Sequence, residues 1–489
     1  MLEFPILMRY LDLGVILLYL VGITWFGARF RSQQKSLKEY FLGGRKAPWW
    51  AISLSIISAE TSTLTVVGTP ALAFGGNLGF LQIVFGYLLA RVVISAVLLP
   101  HYFRGEIYTA YELMRRRFGE RTRKLTALIF LVTRALAEGV RVFAVAIVIS
   151  IVLNTSEIPS ILLIVALTLF YTFEGGMTAV IWTDVIQMTL YVLGAILSFF
   201  VILQHIPGGW SHVVAVAGPA GKFRIFDFDF SFSMQYFSRT YTFWAGLIGG
   251  CFLTTASHGT DQLIVQRLLS AKNESQSRAA LLGSWVVIFF QFGLFLLIGV
   301  ALFVYYREAR LAPPVKADRI YAQFVWENLP PGIAGLVIAA IVAAAMANLS
   351  AALNALASTT VVDILRPLTG LGGDEARSLR WARWATVAWA LVLVAIGIVA
   401  RHWGSVLESG LSIASITLGL LLGVFLLGVL TRRVGQNAAS FGVVAGLACI
   451  LYVRGFTPIA WTWWVFIGSI GTFCAGYFAS WFQRSAPNP

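Results

Sequence analysis

Long apolar segments follow one another along the whole chain, and short polar loops separate them. A transmembrane helix needs about 20 consecutive, predominantly apolar residues. On this basis we predict an all-α integral membrane protein with about 13 transmembrane helices. The predicted spans are 9–28, 47–74, 79–103, 123–153, 159–174, 178–204, 240–266, 280–306, 333–362, 382–401, 408–431, 436–454 and 459–482.

Two of these spans contain polar interruptions. Residues 55–76 have the sequence SIISAETSTLTVVGTPALAFGG, and residues 254–262 have the sequence TTASHGTDQ. A break at membrane depth frees backbone carbonyls, which suit a hard cation, and amides, which suit an anion. Interrupted helices at corresponding positions of two halves indicate a transporter site. The alternative is a kinked helix whose serines and threonines bond back to the i−4 carbonyl.

The two interrupted spans are five spans apart, which predicts two inverted repeats of five helices. We therefore predict a single membrane transport domain over residues 1–489. It is divided into an extra first helix with a cytoplasmic loop (1–46), a first repeat (47–204), a second repeat (240–433) and two extra helices (434–489). Two longer external segments, 204–239 and 307–331, are predicted to form short surface helices or caps.

Composition supports one membrane domain without a soluble enzyme module, because 58% of the residues are hydrophobic and only 12% are charged. The three cysteines, Cys251, Cys449 and Cys474, lie in or near spans, and this placement predicts neither a disulfide framework nor a metal site. We find no metal-ligand pattern, nucleophile elbow or pair of catalytic carboxylates in the sequence, so an enzyme is not expected.

The net charge of +14 follows the loops rather than a nucleic-acid surface. Of the 36 lysine and arginine residues, 23 lie in alternate loops on one side, with Arg267 counted in the loop after the second interrupted span, and ten lie on the other side. Cytoplasmic loops are the basic ones, so we predict a multi-pass cell-membrane protein with its N-terminus outside and its C-terminus cytoplasmic. The remaining three cations lie inside spans: Arg91, Arg134 and Arg141.

These intramembrane arginines are candidate substrate ligands. Arg134, Glu138 and Arg141 have i, i+4 and i+7 spacing, which places them on one helix face with one surplus positive charge. Such a charge is costly in a bilayer and must face protein, water or substrate. A purely structural ion network is the alternative. Arg91 presents the same choice, and Glu60 is its expected counter-ion.

Six stretches resemble a known family in the order in which they occur there, over roughly residues 40–435. They are ISAE (57–60), GEIYTAYELMRRRFG (105–119), FEGGMTAVIWTDVIQ (173–187), DQLIVQRLLSAKNESQSRAAL (261–281), AAAMANLSAALNALASTTVVDIL (343–365) and LGVFLLGVLTRR (422–433). They resemble the sodium:solute symporter family, which includes sodium-coupled sugar, proline, sialic acid and monocarboxylate transporters. The resemblance implies the five-plus-five inverted-repeat fold of the leucine-transporter type.

The resemblance also implies sodium ligands. The main sodium site would take the carbonyls of Leu54 and Ile57 together with Ala344, Ala347 and Asn348. Many family members have two adjacent hydroxyl residues where this chain has Ala347 and Asn348, so here the amide of Asn348 replaces a hydroxyl and Ala347 offers only its carbonyl. The small residues of this span would otherwise serve close helix packing.

A second sodium site is implied at Asp184, with Ser350 as its partner. A carboxylate inside a membrane needs a partner, which a cation route supplies. Alternatively, Asp184 lies at the membrane boundary and caps the sixth span.

The substrate class follows from the same alignment. Three sugar-contacting positions of the sugar branch correspond to Thr61, Val84 and Ile288, so the sugar ligands are not reproduced. Ser58 and Thr61 match hydroxyl positions of the sialic-acid branch, whose substrate-binding arginine aligns near Ala137. A small carboxylate-bearing solute is therefore preferred to a hexose. The candidate substrate residues are Ser58, Thr61, Arg91, Arg134, Arg141, Thr254, Ser257 and His258, although a buried histidine is more often structural.

The sequence thus predicts a sodium-coupled secondary active symporter that imports a small organic solute by alternating access. Its expected partners are Na⁺, the solute and the lipid bilayer, and no nucleic acid. Two alternatives stay open: a transporter-like receptor that senses a solute without moving it, and a proton-coupled symporter.

Overall fold

The computed structural model describes residues 6–29, 42–104, 110–171, 177–365 and 375–482, and helices dominate these ranges. The helices up to the first long external segment are α1 (Ile6–Ala28), α2 (Trp49–Glu60), α3 (Thr63–Gly75), α4 (Leu81–Phe103), α5 (Ala110–Phe118), α6 (Glu120–Val152), α7 (Glu157–Tyr171), α8 (Met177–Gln204), α9 (Gly209–Ala217) and α10 (Met234–Phe237). Helix α4 contains one π-helical turn, Ile94–Leu98.

The rest of the described chain continues in the same way. Its helices are α11 (Gly250–Gly259), α12 (Gln262–Leu269), α13 (Glu274–Glu308), α14 (Ile320–Asn328), α15 (Ile333–Thr359), α16 (Glu375–Ala400), α17 (Val406–Leu430), α18 (Gln436–Phe456) and α19 (Trp464–Ala479). A π-helical turn, Ala245–Gly249, precedes α11, and a 3₁₀ turn, Ala317–Arg319, precedes α14.

The first interruption lies between α2 and α3, which are bent by 64° relative to each other. Helix α2 ends where Thr61 donates its N–H to the Ile57 carbonyl, and Ser62 is fully extended, with φ −88° and ψ 174°. Hydroxyl side chains compete with the helical backbone bonds and favour such a break. The interruption predicted from residues 55–76 is therefore present.

The second interruption lies at Thr260 and Asp261, between α11 and α12. Asp261 is extended, and its side chain accepts a hydrogen bond from the Leu263 N–H, so it caps α12. This is the end of the polar stretch 254–262, where the sequence predicts a break. A helix restarts with new free carbonyls and amides at such a cap.

Each of the thirteen predicted spans contains a helical segment within the described ranges. By length and apolarity, seven helices in the described ranges are long enough to cross a membrane, or eight if α2 and α3 count as one span. The number thirteen therefore stays a prediction. The two external segments contain the short helices α9, α10 and α14, as predicted.

Small residues bring α4 against the second interrupted span. A Cβ added at Gly86 of α4 would lie 2.4 Å from the Gly246 carbonyl, and one at Gly250 would lie 2.5 Å from the Ile83 carbonyl. Real side chains do not fit at such distances, so glycine permits this close helix packing. The contact holds α4, which carries Arg91, beside α11, which carries His258.

Candidate functional site

A small cavity adjoins the first interruption. Its walls come from the break itself, from α6, from α7 and from α15. The lining residues are Ser62, Thr63, Glu138, Arg141, Val142, Val145, Ile164, Ala345, Asn348 and Leu349. The break, an arginine and an asparagine predicted as a sodium ligand thus border the same space.

Two groups on this cavity suit an anionic ligand. Arg141 donates from Nη1 to Glu138 Oε1 at 2.6 Å, and its side chain is 25% exposed. Arg141 Nε and Thr63 Oγ1 are buried without a hydrogen-bond partner in the described part of the chain. An unpartnered buried donor is costly, so both groups favour a ligand that accepts hydrogen bonds, such as a carboxylate.

The predicted ligands of the main sodium site lie on two helices, α2 and α15, and one of them, Asn348, lines this cavity. The Ile57 carbonyl accepts the Thr61 N–H at 2.7 Å and keeps a second lone pair. Leu54 lies one turn earlier on α2 and is half-buried, while Asn348 lines the cavity from α15. Ala344 and Ala347 are also on α15, but their side chains lie outside the described part.

A second cluster joins the two interrupted spans on the side of α2 and α12. Buried Arg267 of α12 donates from Nη2 to Asp184 Oδ2 at 3.0 Å and from Nε to Ser55 Oγ at 2.9 Å. Ser55 in turn donates to Asp184 Oδ2 at 2.6 Å, and Ser58 donates to Asp184 Oδ1 at 3.4 Å. A buried carboxylate is stable only when its partners compensate its charge. Here a guanidinium and two hydroxyls do so.

This cluster changes two predictions. Arg267 is predicted as a loop cation, but it is buried in an ion pair. Asp184 lies well inside α8, so it does not cap that helix. Shared sodium ligation by Asp184 and Ser350 stays a prediction. The apolar positions around Arg267 in DQLIVQRLL are the sequence signal that it faces protein.

A third cluster surrounds Glu60 at the end of α2. Arg91, fully buried on α4, donates from Nη2 to Glu60 Oε2 at 2.6 Å and from Nε to Ser284 Oγ at 3.0 Å. His258 Nε2 lies 3.2 Å from the same Glu60 oxygen. The prediction that Glu60 is the counter-ion of Arg91 is confirmed. Glu60 therefore connects α2, α4 and α11.

The two ring nitrogens of His258 face different partners. An ionised carboxylate only accepts, so Nε2 carries the proton that bonds to Glu60. Nδ1 lies 2.9 Å from Ser257 Oγ. Thr254, one turn earlier, is buried, and its carbonyl lies 3.4 Å from Ser257 Oγ. His258 and Ser257 thus belong to the Glu60 cluster and do not line the small cavity.

The surplus charge on α6 is compensated across the second break. Arg134 lies 3.4 Å from Glu138 and 3.5 Å from Asp261, measured between its Nε and Oε1 and between its Nη1 and Oδ2. Two arginines, Arg134 and Arg141, therefore face two carboxylates, and the group is neutral. Asp261 lies in the stretch predicted to break, but the sequence does not reveal it as the counter-ion of Arg134, because the two residues meet through tertiary packing.

The remaining candidate, Thr61, is held at the first break. Its Oγ1 accepts a hydrogen bond from Gln291 Nε2 on α13 at 2.7 Å. Neither Thr61 nor Ser58 lines the small cavity. Of the predicted substrate residues, Arg141 alone borders it in the described chain.

The chain is similar to known proteins over nearly its whole length. A family profile described as the sodium:solute symporter family matches residues 40–446. The sodium/sialic acid symporter NanT of Aliivibrio fischeri is 29% identical over 469 residues, which are 94% of this chain and 90% of the relative. The human sodium-coupled monocarboxylate transporter 1 is 28% identical over 432 residues, which are 86% of this chain and 68% of the relative.

A solved structure is also similar over the full length. It is the substrate-bound, outward-open state of a Na⁺-coupled sialic acid symporter, with a TM-score of 0.84 and 25% sequence identity. The match covers 98% of this chain and 99% of that structure.

Proposed function

Because the chain belongs to the sodium:solute symporter family, it is a multi-pass membrane transport protein and not an enzyme, and we propose that it imports a small organic carboxylate together with sodium. The observation that carries this proposal is the pair of unused donors at the small cavity of the first interruption, Arg141 Nε and the Thr63 hydroxyl, neither of which has a partner among the described residues. The cavity has a volume of about 10 Å³, so it would have to widen to hold a whole solute. Relatives named for sialic acid and for monocarboxylates, both anions, support a carboxylate.

We propose that sodium binds between the end of α2 and α15. The carbonyls of Leu54 and Ile57 would supply oxygens from α2, and Ala344, Ala347 and the Asn348 amide would complete the site from α15. Oxygen ligands of this kind suit a hard monovalent cation. A second sodium site at Asp184 and Ser350 would require Arg267 to leave the carboxylate it now binds.

We also propose the finer features of the transport cycle. Residues 47–204 and 240–433 would form the inverted repeats, and rocking of one bundle against the other would expose the cavity alternately to each side. The Arg267 and Glu60 clusters support this, because they hold the two interrupted spans together as a unit. The basic loops would face the cytoplasm, with the N-terminus outside and the C-terminus inside.

Uptake by purified protein in liposomes tests the function. We expect labelled carboxylates from a panel that includes lactate, pyruvate and sialic acid to accumulate when sodium is imposed outside, and not when choline replaces it. Accumulation that follows a proton gradient and ignores sodium would contradict the proposed ion, and binding without accumulation would favour a receptor.

A substitution at Asn348 tests the proposed main sodium site. Asn348→Ala removes the only side-chain oxygen among the proposed main-site ligands, so we expect the sodium concentration for half-maximal uptake to rise about tenfold, the effect of losing roughly 1.4 kcal/mol. Asn348→Ser, which restores a hydroxyl, should recover most of the loss. The measurement is initial uptake against sodium concentration, and equal sodium dependence in all three proteins would contradict the assignment.

The anion site is tested at Arg141. We expect Arg141→Gln to raise the KM for the carboxylate about 10–100-fold, because a charge-assisted hydrogen bond contributes roughly 1.5–3 kcal/mol. Glu138 keeps Arg134 as a partner, so folding should persist. Arg121→Gln, an exposed cation on the same helix, is the matched control. An unchanged KM in Arg141→Gln with normal expression would remove Arg141 from the site.

A further inference from the structure

A second and larger cavity borders α3 and is separate from the small cavity that Asn348 lines, the Asn348 cavity. Its volume is about 280 Å³, and it lies between the segment before α14 and the start of α17. The lining residues are Ala71, Leu72, Phe143, Val315, Lys316, Ala317, Asp318, Trp403, Gly404 and Ser405. None of them lines the Asn348 cavity.

Asp318 brings an unused acceptor to this cavity. Its side chain is 7% exposed, and Oδ2 accepts the Val406 N–H at 3.1 Å, at the first turn of α17. The other oxygen, Oδ1, is buried with no hydrogen-bond partner among the described residues. Leaving a carboxylate oxygen buried without a donor is costly. The acceptor therefore favours a ligand that brings a hydroxyl or ammonium group.

Lys316 brings a fixed cation to the same space. Its ammonium donates to the Arg401 carbonyl at 3.1 Å and lies 5.1 Å from the centre of the Phe143 ring. An ammonium has three N–H donors, so two are left for a ligand. Ser405 Oγ, on the same wall, is buried without a partner in the described chain. A cation and a hydroxyl together suit a carboxylate.

The remaining walls limit the size of the ligand. Phe143 and Trp403 are aromatic, Ala71 and Leu72 are aliphatic, and the exposed Val315 lies at the rim. Ligand sites combine apolar walls with a few convergent polar groups, and volumes of about 300–1,000 Å³ are typical. This cavity is at the small end of that range.

We propose that this cavity is a second small-molecule site, which binds a carboxylate that also carries a hydroxyl or ammonium group on the neighbouring carbon. Lys316 and Ser405 bind the carboxylate, and Asp318 accepts from the donor. The site does not depend on the transport function proposed above, since it shares no residue with the Asn348 cavity.

Three probes of equal chain length test this chemistry. L-lactate carries a hydroxyl, L-alanine carries an ammonium, and propionate carries neither. Binding is measured by equilibrium dialysis of the labelled compounds against the full purified chain. The protein carries the Arg141→Gln substitution, so that binding in the Asn348 cavity contributes little to the signal. We expect lactate and alanine to bind at least about tenfold more tightly than propionate.

Two variants assign the contacts. In the same background, Asp318→Asn should weaken alanine at least about tenfold and leave propionate unchanged, whereas Lys316→Gln should weaken all three probes. Arg307→Gln, an exposed cation outside the cavity, is the matched control. Thermal unfolding of each variant separates lost binding from lost folding. Absent saturable binding, or Asp318→Asn and Lys316→Gln proteins that bind as well as their parent, would overturn the proposal.

The pH dependence of alanine binding gives an independent test of Asp318. Burial raises the pKa of Asp318 to about 6, with the Val406 N–H and Lys316 opposing the shift and Glu408 adding to it. A carboxyl protonated below that pH has lost the charge that attracts an ammonium. We therefore expect alanine to bind more weakly at pH 5 than at pH 7.5, and Asp318→Asn to remove this dependence. A pH profile that is the same in both proteins would exclude Asp318 as the acceptor.

Discussion

Replacing Arg267 by methionine is expected to lower the free energy of unfolding by about 3–5 kcal/mol. Among the described residues, the change leaves Asp184 buried with the hydroxyls of Ser55 and Ser58 as its partners. A carboxylate without a counter-charge in a membrane domain is strongly destabilising. Denaturant titration in detergent micelles, followed by circular dichroism, measures the loss. Uptake in liposomes should be lost as well, because this pair joins the two interrupted spans.

The double variant Asp184→Asn/Arg267→Gln shows whether the lost stability comes from the unpaired charge or from the changed side-chain shape. It removes both charges and keeps groups that hydrogen-bond, so it should recover most of the stability lost in Arg267→Met. Arg278→Gln is the control, since its pair with Glu274 is exposed and should contribute at most about 1 kcal/mol. A double variant no more stable than Arg267→Met would show that the ion pair is not the source of the loss.

The same pair decides whether sodium reaches Asp184. In the Arg267→Gln protein the carboxylate is free of its guanidinium, so sodium should stabilise this variant more than it stabilises the parent. The melting temperatures of both proteins in sodium and in choline give the comparison. An equal response of the two proteins would argue against a second sodium site at Asp184.

Replacing Arg91 by methionine is expected to have an effect of similar size, about 3–5 kcal/mol. Arg91 is fully buried, and without it Glu60 keeps His258 as its one remaining side-chain partner among the described residues. Glu60→Gln in the same chain should restore part of the stability, because a neutral amide needs no counter-charge. Arg91→Lys keeps the charge but loses the fork to Ser284, so an intermediate loss is expected.

Amide hydrogen exchange shows which helices are destabilised when Arg91 is replaced. Because Glu60 connects α2 with α4 and α11, the Arg91→Met protein should exchange faster in both α2 and α11. The control again is Arg278→Gln, whose exchange should match that of the parent in these helices. Faster exchange confined to α4 would mean that the Glu60 cluster does not couple the interrupted spans.

The local properties of the fold could be predicted from the sequence. Apolar length indicates a helix in a bilayer, and clustered hydroxyls beside glycine indicate where that helix breaks, so residues 55–76 and 254–262 revealed both interruptions. The pairing of Arg91 with Glu60 was also predictable, because two opposite charges on successive spans have few other partners. In these cases the interaction that stabilises the feature involves residues close together in the chain, or depends on charge alone.

What the sequence determined by itself was the membrane class, the helices and their breaks, and, through ordered motifs, the family. The tertiary structure alone decided which buried charges meet. Arg267 is the buried partner of Asp184 and not a loop cation, and Asp261 lies beside Arg134. Asp318 Oδ1 borders a cavity without a hydrogen-bond partner among the described residues. A helix is determined by the order of residues along one stretch of the chain. An ion pair between helices depends on how those helices cross, and the crossing is determined by side-chain packing over the whole bundle.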